Sequence, residues 1–183
     1  WAETAALPAS QSSAVSTFVE SCLGTSGVLS GQCRDLAFGP ADNTPENILK
    51  IAEGKTVTLL RLSLVLPAML AGASRKTTTL LTKLAHTRGL GYQIADDFKD
   101  VFQGEGSSGK TSDRDRSLHR PNLVVCEGVP SAARRLKALV DEGDAITKEL
   151  SRGTSGWSFL DDLRITVGPQ LLNENGIPLS GNL

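Results

Sequence analysis

Apolar side chains recur at three- and four-residue spacing along most of this chain, and that pattern restricts what it can fold into. SSAVSTFVESCL, NILKIAEGKTVTLLRLSLVLPAML, KTTTLLTKLAHTRGLGYQIADDFKDVF, PSAARRLKALVDEGDAITKEL and SFLDDLRITVGPQLL each place Leu, Ile, Val or Ala at i, i+3 and i+4, the repeat of an amphipathic helix. No run alternates convincingly at the period of two that a half-buried strand needs. An all-α fold follows. Thr44 before Pro45 has the form of an N-cap followed by a first-turn proline, and Pro130 opens the next long helix. Pro67 is expected to bend or end its helix, and Gly89 and Gly91 to weaken theirs while allowing another helix to approach closely. The most apolar run, TVTLLRLSLVLPAMLAGA, contains Arg61 and Pro67 and falls short of the ~20 apolar residues of a membrane span. It reads as a buried core helix, so no transmembrane segment is expected. Without internal repeats or a second boundary, residues 1–183 read as one all-α domain.

A formal charge of -1 over 183 residues gives no electrostatic reason to expect nucleic acid or an acidic membrane as partner. Cys22, Cys33 and Cys126 are odd in number and outside any CxxC spacing, which argues against a disulfide framework or zinc site and for a reducing compartment, cytoplasm or plastid. His86 and His119 stand alone and receive no role. The only methionine is Met69, so Trp1 is not a translation start, and the chain is expected to be a processed form or a fragment.

GYQIADDFKD crowds Asp96, Asp97 and Asp100 onto one short stretch of helix. Like charges one turn apart cost a few tenths of a kcal/mol on a solvated helix, and about 3 kcal/mol at ~6 Å and an effective dielectric of 20. The face is therefore either plain solvent surface or a cation site. Carboxylates projecting from one face without closing a cage suit Mg²⁺, which keeps several waters and is completed by phosphate oxygens. The segment that follows, GEGSSGKTSDRDRSLHRPN, supplies Lys110, Arg114, Arg116 and Arg120 as cations for the same phosphates, and its glycines, serines and length suit a lid. GSSGKTS resembles a nucleotide P-loop only superficially. Two residues separate Gly106 from the Gly-Lys pair and four separate Gly104 from it, but a helix precedes the segment where a P-loop requires a strand.

These segments resemble the trans-isoprenyl diphosphate synthases, the family of farnesyl and geranylgeranyl diphosphate synthases. GYQIADDFKDV is similar to the family's second aspartate-rich motif, with Tyr92 and Gln93 at the expected offsets before DDxxD. GKTSDRDRSLHRPNLV matches its GKxxGxDxxxxK/R segment through Lys110, Asp115 and Arg120, with Asp113 in place of the usual glycine. GVLSGQCRDL resembles the GQxxDL helix through Gly31, Gln32 and Asp35, and EGKTVTLL the Lys-Thr helix through Lys55, Thr56 and Leu59. The four segments follow in family order over roughly residues 20 to 150. Singly, each has a plain alternative: Lys55 snorkelling to solvent, Gln32 and Asp35 cross-linking helices, Gln93 as a surface amide.

The resemblance implies an isoprenoid synthase-type helical bundle and a Mg²⁺-dependent prenyltransferase that ionises an allylic diphosphate and adds isopentenyl diphosphate. It implies that Asp96 and Asp100 hold Mg²⁺ with Asp97 supporting them, and that Lys55, Lys110 and Arg120 bind diphosphate. Thr56 and Gln93 would lie beside the developing allylic cation. It also exposes a departure, because the family's first DDxxD motif is absent; Asp161 and Asp162 are followed by Leu-Arg-Ile. The chain is thus expected to be the carboxyl-terminal portion of such a bundle, without its amino-terminal helices. Apolar faces left over by half a bundle would need covering, so a homo- or hetero-oligomer is expected. The alternative reading is a noncatalytic subunit or structural component of a larger assembly. A terpene cyclase would need an Asn/Asp-Ser/Thr-Glu metal triad, which is not found at the right spacing.

Overall fold

The computed structural model describes residues 8–103, 120–152, 156–162 and 164, and among these there is no strand. In chain order come α1 (Ala9–Leu23), α2 (Val28–Leu36), a 3-10 turn (Pro40–Asp42), α3 (Pro45–Ala52), a π-turn (Glu53–Val57), α4 (Thr58–Leu70), α5 (Arg75–Gln103), α6 (Leu123–Glu127), α7 (Val129–Leu150) and a 3-10 turn (Ser158–Asp161). Thr44 caps α3, its Oγ1 accepting the Asn47 N–H at 3.2 Å with Pro45 at the first helical position. Pro130 lies in the first turn of α7, where a missing N–H costs nothing.

Helix α5, at 29 residues about 44 Å long, runs through both main apolar clusters. Toward its carboxyl end Ile94 and Phe98 pack with Ile48 of α3, Leu123 and Val124 of α6, and Ala132, Ala133 and Leu136 of α7. Toward its amino end Leu81 and Leu84 meet Val65 and Ala68 of α4, Ile146 and Leu150 of α7, and Leu160. Between them Arg88, only 3% exposed, donates from Nη2 to Asp144 Oδ1 at 2.7 Å. Arg164 closes on the other Asp144 oxygen at 2.8 Å, so the buried guanidinium has a counter-charge that is itself held in place.

Several expectations are corrected. The helical periodicity expected from Asn47 to Leu70 widens by one residue at Glu53–Val57: the Thr58 N–H bonds Glu53 O, five residues back, while the Thr58 hydroxyl takes Gly54 O. Pro67 does not end α4, which continues to Leu70. Its ring lies in the last turn, and the chain leaves through Ala71, whose N–H bonds Pro67 O, and Gly72 at φ 70°. Nor is the apolar run a fully buried core helix; within α4 only Thr58, Val65 and Ala68 are buried, and Leu59 is exposed. The central buried helix is α5. In SFLDDLRITVGPQLL the described part forms only the 3-10 turn Ser158–Asp161, and residues 163 and 165–172 lie outside the described residues. None of the described helices is long and apolar enough to cross a membrane.

Candidate functional site: an acidic groove beside the π-turn

Glycines let three segments close on one another. A Cβ on Gly54, in the π-turn, would stand 2.7 Å from Gly31 Cα in α2, and one on Gly89 of α5 would stand 2.8 Å from Val57 Cγ2. The π-turn is thus gripped between α2 and α5 at backbone distance, as the glycine at position 89 led one to expect. Packing this close brings GQxxDL, the Lys-Thr pair and the aspartate helix to one surface.

That surface is a groove of about 440 Å³. Its polar walls carry Asp35, Lys55, Gln93, Asp96, Asp100 and Arg120, and Leu36, Ile48 and Ile51 supply an apolar side. Lys55 Nζ donates to Asp35 Oδ2 at 2.7 Å, which fixes an otherwise flexible ammonium at the groove's edge. Thr56 Oγ1 donates to Gln93 Oε1 at 3.1 Å, and Gln93 Nε2 donates to Asp97 Oδ1 at 3.1 Å. The chain ends at α6, where the Leu123 N–H donates to Asp97 Oδ2 at 2.8 Å and the Asn122 amide donates to Asp97 O at 3.2 Å.

The three aspartates therefore differ. Asp97 is 2% exposed, with both carboxylate oxygens engaged. Burial pushes its carboxyl up to about 6, against the opposing pull of the Leu123 and Gln93 hydrogen bonds; the charges of Asp100 and Asp96 add to the rise. Asp96 is half-exposed, with Lys99 Nζ 4.0 Å away, and shares the groove wall with Asp100 one turn on. Among the described residues no three acidic, His or Cys side chains converge as a closed metal cage. Two carboxylates on one wall of an open groove suit instead a hard cation that completes its shell with water and phosphate oxygens.

Of the residues singled out in the sequence, Lys55, Thr56, Gln93, Asp96, Asp97, Asp100 and Arg120 come together here, with Gln32 and Asp35. Lys110 and the lid expected of its segment lie outside the described residues, which omit 104–119. Sequence reasoning missed Asn122. Its Oδ1 caps α6 by accepting the Val125 N–H at 2.9 Å, and its amide ties that cap to the aspartate helix. An Asn before an apolar run is a legible cap signal, but the tie across 25 residues is not.

A family model for polyprenyl synthetases matches residues 3–152. The chain is similar to the (2E,6E)-farnesyl diphosphate synthase of Mycobacterium tuberculosis (strain ATCC 25618 / H37Rv), 36% identical over 171 residues that span 84% of this chain and 48% of that protein. It is similar to the geranylgeranyl diphosphate synthase of Cyanophora paradoxa, 33% identical over 119 residues covering 64% of this chain and 40% of the relative. With the farnesyl diphosphate synthase of Escherichia coli (strain K12) it shares 28% identity over 144 residues, 78% of this chain and 48% of the relative. The chain thus spans less than half the length of these relatives. The matched region holds every wall of the groove, and the chain belongs to the polyprenyl synthetase family.

Proposed function

We propose that this chain is the carboxyl-terminal portion of a trans-prenyltransferase that joins an allylic diphosphate to isopentenyl diphosphate, and that the acidic groove receives the departing diphosphate. The observation that carries this reading is the convergence of Lys55 of the π-turn with Gln93, Asp96 and Asp100 of α5 on one groove with an apolar side, which suits a molecule charged at one end and hydrocarbon at the other. Asp96 and Asp100 would hold Mg²⁺, and their open arrangement fits it. When bound, Mg²⁺ neutralises charge on the leaving diphosphate. Lys55 contributes N–H donors to the same oxygens, steadied by Asp35. The Thr56–Gln93–Asp97 chain fixes the Gln93 amide beside the groove, where a preorganised oxygen dipole stabilises a developing cation without reorganising. Asp97 acts through position, holding Gln93 and α6 rather than facing the ligand. Arg120 adds to the cationic side, and Lys110, outside the described residues, is a further diphosphate ligand by family resemblance. A second copy, or a polypeptide carrying a first aspartate-rich motif, would cover the exposed Leu23, Leu29 and Leu59.

Elongation assays test this reading. Residues 1–183 purified alone, given an allylic diphosphate, isopentenyl diphosphate and Mg²⁺, are expected to show no measurable chain growth, because one aspartate motif supplies half the metal ligands. Each 1.4 kcal/mol of lost transition-state stabilisation is about tenfold in rate. Turnover should appear with a polypeptide that carries the first motif, and disappear when Asp96 and Asp100 are both changed to Ala. Robust turnover by residues 1–183 alone, or reconstituted turnover indifferent to the double substitution, contradicts the proposal.

A further inference from the structure

The π-turn has a second neighbour. A separate open pocket of about 560 Å³ lies between α2, α3, the π-turn, the start of α4 and α5, and shares no lining residue with the acidic groove. Its charge is of the other sign: Arg34, Lys50 and Arg61 line it against a single carboxylate, Glu53. Glu53 is turned toward His86, with Oε1 3.4 Å from the ring Nε2. Among the described residues Lys50 is tied only to Glu46, in an exposed pair at 2.7 Å, the kind of bond that yields readily to a better anion.

The arginines have no carboxylate among the described residues. Arg34 makes no ion pair there, and Arg61 Nε is buried without a hydrogen-bond partner. The Arg61 guanidinium lies 5.4 Å from the centre of the Phe18 ring, so one face of the plane is occupied and its N–H edge remains for an acceptor. A buried donor left unpaired costs roughly as much as the hydrogen bond it forgoes, which an incoming anion would recover. Ser26 and Ser30 add hydroxyls, and the amino end of α2 opens here at Gly27, which has no side chain to cap it.

We propose that this pocket binds the phosphate or diphosphate group of a small molecule without a metal ion, with Arg61 and Arg34 as its principal ligands. It is a site apart from the acidic groove, and its test does not depend on the transferase reading. Inorganic diphosphate would be titrated calorimetrically into residues 1–183 in low-salt buffer stripped of divalent metal, a condition that disables a carboxylate site. The expected result is saturable binding that weakens about tenfold or more in Arg34→Gln and in Arg61→Gln. Arg34 is exposed on α2, so its variant decides the matter even if replacing Arg61, stacked on Phe18, perturbs folding. Absence of saturable binding to the unaltered chain overturns the proposal. So does binding that falls with Lys55→Ala while Arg34→Gln leaves it intact, which would put the diphosphate in the groove.

Discussion

Replacing Asp97 by Ala strips an acceptor from the Leu123 N–H and from the Gln93 amide together, whereas replacing Asp96 removes a half-exposed carboxylate whose nearest cation among the described residues is 4.0 Å away. In metal-free buffer, urea unfolding of Asp97→Ala should show a loss of about 1–3 kcal/mol, the cost of leaving a buried donor unpaired. Asp96→Ala should fall within about 0.5 kcal/mol of the unaltered chain. Equal effects would mean that the two carboxylates do not divide as holder and ligand. The helical wheel already contains the division. At about 100° per residue Asp97 lies about 60° from Ile94 and 100° from Phe98, on the edge of the core face, while Asp96 lies about 160° from both. The wheel shows which aspartate turns inward. It cannot show that the acceptor's partner is an amide in α6, because that pairing depends on where a later helix docks.

At the level of elements, the glycines on either side of the π-turn set the spacing of the groove. A methyl at Gly31 would overlap the Lys55 N and Gly54 carbonyl carbon, both backbone atoms that no rotamer change can move aside. Gly31→Ala and Gly54→Ala should each destabilise the chain by roughly 1–3 kcal/mol through overpacking, read as lower urea midpoints with unchanged slope. Gly39→Ala, with only the Asp42 carboxylate 3.8 Å from the added Cβ, is the surface control. Unchanged midpoints for Gly31→Ala and Gly54→Ala would contradict the close crossing. The sequence showed that helix spans this region and where it begins, since Thr44 and Pro45 carry their own local signals. It did not show the π-turn. Moving one hydrogen bond from the fourth to the fifth residue back leaves the apolar periodicity almost unchanged, and only the crossing of two neighbouring helices makes the wider turn worthwhile.

On the scale of the whole molecule, α5 carries both the floor of the core and the wall of the groove: Ile94 and Phe98 face inward while Asp96 and Asp100 line the cleft. An all-α architecture was legible because every long segment repeats at helical spacing. Which helix is central was less so, since the most apolar run, α4, is half-exposed and the more polar α5 is buried through its middle. Hydropathy ranks segments by composition, but burial is decided by how many neighbours surround a helix. The proposed role of the groove is to take a prenyl diphosphate through Asp96 and Asp100 with Mg²⁺. Calorimetric titration of farnesyl diphosphate into residues 1–183, with and without Mg²⁺ and for the unaltered chain beside Asp96→Ala/Asp100→Ala, tests it most directly. Two carboxylates alone offer too few ligands for an octahedral ion. Mg²⁺ by itself is therefore expected to bind weakly, prenyl diphosphate to bind with a saturable Mg²⁺-dependent component, and the double variant to lose that component. Tight binding of Mg²⁺ by the free chain, or prenyl diphosphate binding unaffected by both Mg²⁺ and the double substitution, would contradict that role.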